Sequence, residues 1–111
     1  MNLVERFAEA FNRCDVDGLL ACFTEDATYR DLFYGPHEGQ AALRGMFERM
    51  FREGRHVLFS GMSAFYLDGG DLEGGRIRAY REHADTGVAL LQLGFSPESL
   101  AKVLSRRLPT A

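Results

Sequence analysis

The sequence feature that most constrains the fold is a polar, glycine-rich segment at residues 68–75, which lies between two strand-like runs. The run before it covers residues 56–67, with Gly61 as the expected position of a bend or bulge. The run after it covers residues 76–84. A short loop of this composition favours a hairpin, so this part of the chain predicts two neighbouring antiparallel strands.

Helical periodicity surrounds this pair of strands. Leu3, Phe7 and Phe11 recur every four residues, and residues 38–53 carry the clearest apolar stripe. Polar and apolar side chains alternate over residues 27–34, which predicts a further strand. Three more helices are predicted: a short one carrying Leu19, Leu20 and Phe23, one at residues 88–93, and one beginning at Ser96. This order of elements predicts an α+β domain with helices on one face of an antiparallel sheet.

The length and the net charge of the chain limit the number of domains and the kinds of partner that we expect. The chain has 111 residues, enough for a single domain over residues 1–111, and a formal net charge of −3. A weakly acidic domain does not attract phosphate backbones, so nucleic acid is not an expected partner. No apolar run reaches the roughly 20 residues that cross a bilayer, and the first residues lack a signal-peptide pattern. We therefore expect a cytoplasmic protein without a membrane partner.

The cysteine and histidine content argues against a metal or a cofactor. Cys14 and Cys22 lack CxxC spacing, and the three histidines occur in unrelated local contexts, so no metal site is expected. The glycine-rich segment at residues 68–75 lacks the lysine and hydroxyl residue of a phosphate-binding loop. The sequence therefore predicts neither a metal nor a nucleotide cofactor.

Asp31 is the first candidate for chemistry. Alternation along residues 27–34 places it on the same strand face as Tyr29 and Phe33. If that face points toward the helices, the carboxylate loses much of its hydration, and a carboxylate in such a setting suits proton transfer near neutral pH. The alternative is that Asp31 lies in solvent at the end of the strand, beside a turn at residues 35–36.

Tyr80 and Glu82 are the next candidates. Simple alternation groups them with Arg76 and Arg78 on one face of the strand at residues 76–84. Both faces of this strand mix polar and apolar side chains, so a bulge is expected to change which face the later side chains occupy. A glutamate beside a tyrosine can form a polar group in a pocket. The alternative is a solvated strand face with cross-strand ion pairs.

Three segments at the start of the chain resemble one protein family. Residues 7–12, 15–20 and 23–31 resemble the opening of the SnoaL-like (polyketide cyclase-like) branch of the nuclear-transport-factor-2-like superfamily. The stripe within residues 38–53 fits the family's third helix, and residues 75–85 resemble its last strand. Together these segments span most of the first 85 residues.

The resemblance implies a cystatin-like cone, in which a curved antiparallel sheet packs on the N-terminal helices and encloses an apolar pocket. Homodimers are common among the members of this family. The family includes isomerases, cyclases and non-catalytic binding domains, so the fold alone does not choose an activity.

The resemblance can be carried to individual positions. Asp31 falls where ketosteroid isomerase relatives place their general base, and Glu82 falls near an acid that cyclase and epoxide hydrolase relatives carry on their last strand. The isomerases pair their base with a tyrosine and a protonated aspartate as hydrogen-bond donors. The tyrosine position corresponds to Phe7, and the aspartate position falls near Met62. Neither side chain donates a strong hydrogen bond. Steroid-type isomerisation is therefore disfavoured.

The chain departs from the family pattern in its number of strands. Relatives follow the third helix with four long strands, whereas only the runs at residues 56–67 and 76–84 are found here. The sheet is therefore expected to have fewer strands than usual and an exposed edge. Exposed strand edges pair with other chains, so we expect a homodimer that covers this edge.

Two functional hypotheses follow. The first is a pocket protein that binds a small, mostly apolar molecule and uses Asp31 as the base for proton transfer next to a carbonyl, with Glu82 as a second catalytic carboxyl. The second is a non-catalytic dimerisation or ligand-binding module, which is favoured if aromatic rings fill the interior. The residues expected to contact a ligand are Phe7, Phe11, Tyr29, Phe47, Met50, Phe51, Met62 and Tyr80.

Overall fold

The structure is a computed structural model that describes residues 1–54 and 61–108. The early part of the predicted strand at residues 56–67 therefore lies outside the described residues. The elements, in chain order, are α1 (Leu3–Asn12), α2 (Val16–Ala21), β1 (Phe23–Asp31), β2 (Gly35–Glu38), α3 (Gln40–Glu53), β3 (Gly61–Asp68), β4 (Arg76–Ala84), α4 (Thr86–Gln92) and α5 (Pro97–Ser105). The predicted α+β class is confirmed.

Side-chain caps mark where several helices begin. The side chain of Asn2 accepts a hydrogen bond of 2.9 Å from the Glu5 N–H, and Asp15 accepts one of 3.0 Å from the Gly18 N–H. Ser96 caps α5 in the same way. Such caps satisfy N–H groups that have no partner within the helix, and each contributes about 1 kcal/mol.

The four strands form one sheet in the order β2-β1-β4-β3. The neighbouring positions of β3 and β4 agree with the predicted hairpin. β1 and β2 are antiparallel, but β1 and β4 are parallel, so the expectation of a wholly antiparallel sheet is corrected for this pair. The reason is the long connection between them, which contains α3 and allows two adjacent strands to run in the same direction.

The segment around β2 also differs from the sequence prediction. A turn was expected at residues 35–36 and a helix from residue 38, whereas residues 35–38 form a short strand and α3 begins at Gln40. Pro36 cannot donate a ladder hydrogen bond, and an edge strand such as β2 tolerates this. Four residues are too few for alternation to be recognised in a sequence.

The register between β1 and β4 contains an irregularity. Paired positions pass from Phe23 opposite Ile77 to Thr28 opposite Ala79, so the two strands contribute different numbers of residues between these pairs. Extra residues of this kind make a bulge, which changes the face to which later side chains point. The expected phase shift is therefore present.

Burial along β4 shows the consequence of this irregularity. Arg76 and Arg78 are exposed and Ile77 is buried before the shift, whereas Tyr80 is buried after it. Tyr80 therefore does not lie on the same face of β4 as Arg76 and Arg78, although simple alternation had grouped the three residues together. Glu82, two residues further on, is half-buried.

The chain divides into two compact units. The first comprises residues 1–54 and 63–82 and contains a large hydrophobic core. Every second residue of β1 is buried at positions 27, 29 and 31, as the alternation predicts. The largest fully buried side chains are Tyr29, Phe23, Phe47, Leu3, Leu19, Leu43 and Ile77.

The second unit contains, among the described residues, 61–62 and 83–108, including α4 and α5. Ala89 and Leu90 of α4 are its buried side chains. Gly61 also lies in this unit, where a Cβ atom would stand 2.5 Å from the carbonyl oxygen of His83. Close approach to the neighbouring strand therefore requires a glycine there. In the part of the chain that the structure describes, none of the helices has the length and apolar character to span a membrane.

Candidate functional site

The parallel pairing of β1 and β4 brings several predicted site residues together. The rings of Tyr29 and Tyr80 stack with centroids 4.2 Å apart and an interplanar angle of 17°. Further along the same pair of strands, the Leu32 N–H donates a 3.0 Å hydrogen bond to Oε2 of Glu82. We define the acid–tyrosine cluster as Tyr29, Asp31, Ser63, Tyr80 and Glu82.

Asp31 is buried, with only 8% of its surface exposed. Its Oδ2 atom accepts hydrogen bonds from the backbone N–H groups of Phe33 at 2.8 Å and Tyr34 at 2.9 Å. These bonds hold the turn between β1 and β2 and compensate for the loss of water around the carboxylate. The structure therefore places Asp31 inside the first unit and not in solvent at the strand end.

Glu82 accepts hydrogen bonds from two donors, one on β4 and one in the turn that follows β1. Its Oε1 atom accepts from the Tyr80 hydroxyl at 2.9 Å, and its Oε2 atom accepts from the Leu32 N–H. Burial raises the pKa of Glu82, and the negative charge of Asp31 raises it further, although hydrogen bonds from Leu32, Tyr80 and Tyr29 oppose the shift. Glu82 therefore holds a proton more readily than a solvated glutamate does.

The Tyr80 hydroxyl links Glu82 to the surface. Its oxygen lies 2.8 Å from Oγ of Ser63, and because the Tyr80 proton is donated to Glu82, Ser63 is the donor in this contact. Ser63 is exposed. Burial raises the pKa of Tyr80 to about 12 and raises that of Tyr29 as well, so both hydroxyls stay protonated at neutral pH. A line of hydrogen bonds therefore runs from an exposed hydroxyl to a buried carboxyl.

Sequence reasoning missed Ser63. A lone serine in a strand has no distinguishing pattern, and its contact with Tyr80 depends on how β3 lies beside β4. The one available signal is that Ser63 alternates with Phe65, whose ring also packs on Tyr80 with centroids 5.2 Å apart.

Aromatic rings surround the cluster. The Phe7 ring lies 5.3 Å from that of Phe65 and 5.5 Å from that of Tyr80, centroid to centroid. Phe47 lies 5.2 Å from Tyr29 in an edge-to-face arrangement, which is a favourable geometry for aromatic pairs. Phe7 and Phe47 thus contact the two tyrosines directly.

The remaining predicted ligand contacts lie further out. Phe11 and Phe51 contact each other with centroids 5.3 Å apart, and together with Met50 they are partly buried against the core. Met62 belongs to the second unit and is 80% exposed. The structure therefore brings Met50 and the phenylalanines to the core of the first unit, but Met62 is not part of that packing.

Two depressions lie on the described surface of the first unit. One, of about 410 Å³, lies between α1, α2 and residues 74–76, and the other, of about 430 Å³, lies beside β1, β2 and β4. Neither is lined by Asp31 or Glu82. Among residues 1–54 and 61–108, no three histidine, cysteine or acidic side chains are grouped as a metal would require.

The fold is that of an α+β protein, in which two acidic side chains, Asp31 and Glu82, lie near two stacked tyrosines. A family model described as a SnoaL-like domain matches residues 4–71. The chain belongs to this SnoaL-like family, so the resemblance seen in the sequence is confirmed. A comparison with curated protein sequences found no match.

Solved structures share this fold at low sequence identity. A ketosteroid isomerase-like protein from Erwinia carotovora atroseptica is 13% identical, with a TM-score of 0.61 over 75% of this chain and 91% of that one. A protein of unknown function with a cystatin-like fold from Nostoc punctiforme is 15% identical, with a TM-score of 0.63 over 79% and 90%. An NTF2-like protein from Burkholderia xenovorans is 21% identical, with a TM-score of 0.54 over 81% and 92%. These similarities establish the fold alone.

Proposed function

We propose that this protein binds a small, mostly apolar carbonyl compound at the acid–tyrosine cluster and transfers a proton at the carbon next to the carbonyl. The observation that carries the proposal is the buried Asp31 carboxyl close to Glu82, whose carboxyl accepts a hydrogen bond from the Tyr80 hydroxyl. The Tyr80 oxygen in turn contacts the hydroxyl of Ser63, an exposed residue. A positioned carboxyl of this kind suits proton transfer.

In this proposal Asp31 is the base. It takes a proton from the carbon next to the carbonyl, the C–H electron pair moves to form an enolate, and the proton returns at the same or a conjugated carbon. The Tyr80 hydroxyl donates to the enolate oxygen, a role that Phe7 and Met62 cannot fill. In the structure the Tyr80 proton is donated to Glu82. Protonation of Glu82 reverses this bond, so that the Tyr80 proton turns to the enolate oxygen. The rings of Phe7 and Phe65 provide apolar contact. No cofactor takes part in this sequence of steps.

The test is deuterium incorporation into a panel of cyclic ketones and enones in D₂O, followed by proton NMR. We expect exchange faster than in buffer, and a loss of about 100-fold or more in Asp31→Asn, the scale of general base catalysis. The matched control is Asp26→Asn, which removes an exposed carboxylate from the same strand. Exchange that proceeds equally fast in Asp31→Asn would contradict the role of Asp31.

A second candidate is a non-catalytic dimerisation or ligand-binding module. The observation in its favour is that Phe7 and Phe47 are buried in the core and Phe51 packs against it. β2 and β3 are the edges of the four-stranded sheet, and an edge can pair with a second copy. Light scattering at micromolar concentration tests the homodimer, and a monomeric mass would overturn it. A dimer that exchanges no ketone proton would favour this second function.

A further inference from the structure

Two arginines stand directly opposite each other on the sheet. Arg30 of β1 is paired with Arg81 of β4 in the parallel register, and both side chains are exposed. They flank the pair of Tyr29 and Tyr80, which is buried, so they point to the opposite face of the sheet. Like charges opposite each other in a sheet are destabilising, so this arrangement needs an explanation.

Carboxylates of the described residues do not neutralise this pair. In the described part of the chain neither Arg30 nor Arg81 forms an ion pair, although acidic residues outnumber basic ones by 16 to 13. Glu38 lies on the same face, opposite Thr28, and pairs with neither arginine. Other exposed arginines do contact carboxylates, namely Arg13, Arg44 and Arg49.

A depression of about 430 Å³ lies at this pair. Thr28 is two residues from Arg30 on the same strand face, so its hydroxyl is a further donor there. A guanidinium group presents paired N–H donors that match the oxygens of a phosphate, and two such groups suit a doubly charged one. The residues of this depression that lie on the exposed face are Thr28, Arg30, Pro36, Glu38 and Arg81.

We propose that Arg30 and Arg81 form a binding site for a small phosphate-bearing ligand, either inorganic phosphate or a phosphate monoester. The ligand accepts hydrogen bonds from both guanidinium groups and from the Thr28 hydroxyl, and its charge relieves the repulsion between the arginines. The carboxylate of Glu38 lies on the same face and disfavours ligands that carry further negative charge beyond one phosphate group. Tyr29 and Tyr80 of the acid–tyrosine cluster also line this depression, but the two arginines lie on the opposite face of the sheet, and the phosphate site does not depend on the function proposed for the cluster.

The first experiment is calorimetric titration with inorganic phosphate and with phenyl phosphate at constant ionic strength. We expect binding to the unaltered protein and affinity weakened about tenfold or more in Arg30→Gln and in Arg81→Gln, since each loses charged hydrogen bonds. The matched control is Arg52→Gln, an exposed arginine on α3 that should leave the affinity unchanged. Tighter binding of one ligand over the other tells whether the monoester or free phosphate is preferred. Absence of binding, or equal affinity in all four proteins, would overturn the site.

The second experiment separates a binding role from a structural one. In chloride buffer Arg81→Gln should be at least as stable to heat as the unaltered protein, because it removes the repulsion. Phosphate should raise the unfolding temperature of the unaltered protein more than that of Arg81→Gln, because a ligand stabilises most the protein that binds it most tightly. A variant that is less stable without phosphate, or that phosphate stabilises equally, would contradict the proposal.

Discussion

The Tyr80 hydroxyl donates a 2.9 Å hydrogen bond to Glu82, two residues along the same strand, and the other oxygen of Glu82 accepts from Leu32 on the adjoining segment of chain. Through these bonds one carboxyl ties β4 to the end of β1. Asp31 immediately precedes Leu32, so its charge acts on Glu82 at short range. Most of the chemistry that we expect of this protein depends on that relationship.

Glu82 should make stability depend on pH. Its pKa in the folded protein is raised above the ordinary value of 4.5 by burial and then by Asp31, so the folded state holds the proton more tightly than the unfolded state does. The stability this contributes is fully present below about pH 4.5 and is lost as the pH rises through the folded-state value. Glu82→Gln should flatten that decline in urea unfolding measured from pH 4 to 8. Glu25→Gln, at an exposed site on β1, should keep the unaltered slope.

Asp31→Asn should lower the pKa of Glu82. The negative charge of Asp31 is the second largest cause of the raised value, and asparagine removes the charge while keeping an oxygen for the turn. A carbon-13 NMR titration of the Glu82 carboxyl measures the change directly, and the same spectra report whether the variant is folded. The exposed substitution Asp26→Asn serves as the control. An unshifted Glu82 in Asp31→Asn would show that the two carboxyls do not interact.

Tyr80→Phe should keep the ring packing but break the line of hydrogen bonds. The stack on Tyr29 is retained, whereas Glu82 loses a donor and Ser63 loses an acceptor. We expect a loss of about 1 kcal/mol in the free energy of unfolding and a further rise in the pKa of Glu82, because the bond from Tyr80 lowers it. Tyr66→Phe, at an exposed position on β3, should change neither quantity. Equal effects in the two variants would show that the Tyr80 hydroxyl contributes neither to stability nor to the pKa of Glu82.

Two glycine-to-alanine changes should have opposite signs. At Gly61 the new Cβ would meet the His83 carbonyl oxygen at 2.5 Å and the Ala84 Cβ at 2.7 Å, so we expect a loss of about 1–3 kcal/mol in stability. At Gly45, inside α3, no atom lies within 4 Å of the new Cβ. Alanine there should stabilise the protein by about 0.5–1 kcal/mol through helix propensity. Chemical denaturation of both variants checks the prediction, and a stabilised Gly61→Ala would show that β3 and β4 lie further apart.

The sequence by itself determined the elements whose signals are local. The helix predicted to begin at Ser96 does begin there, with the Ser96 side chain as its cap, because a cap depends on only three or four neighbouring residues. Alternation correctly grouped Asp31 with Tyr29 on one face of β1, since the period of a strand is a property of the backbone, but it left open whether Asp31 lies in solvent. The family resemblance was also readable from such short segments.

Only the tertiary structure decided which strands are neighbours and in which direction they run. The parallel pairing of β1 with β4 joins residues about 50 positions apart, and no local pattern specifies it. That pairing places Tyr29 on Tyr80, brings Leu32 to Glu82 and sets Arg30 beside Arg81. The contact of Ser63 with Tyr80 likewise depends on the neighbouring strand. The candidate site was therefore predictable as single residues, while its hydrogen bonds and its charge balance follow from long-range packing.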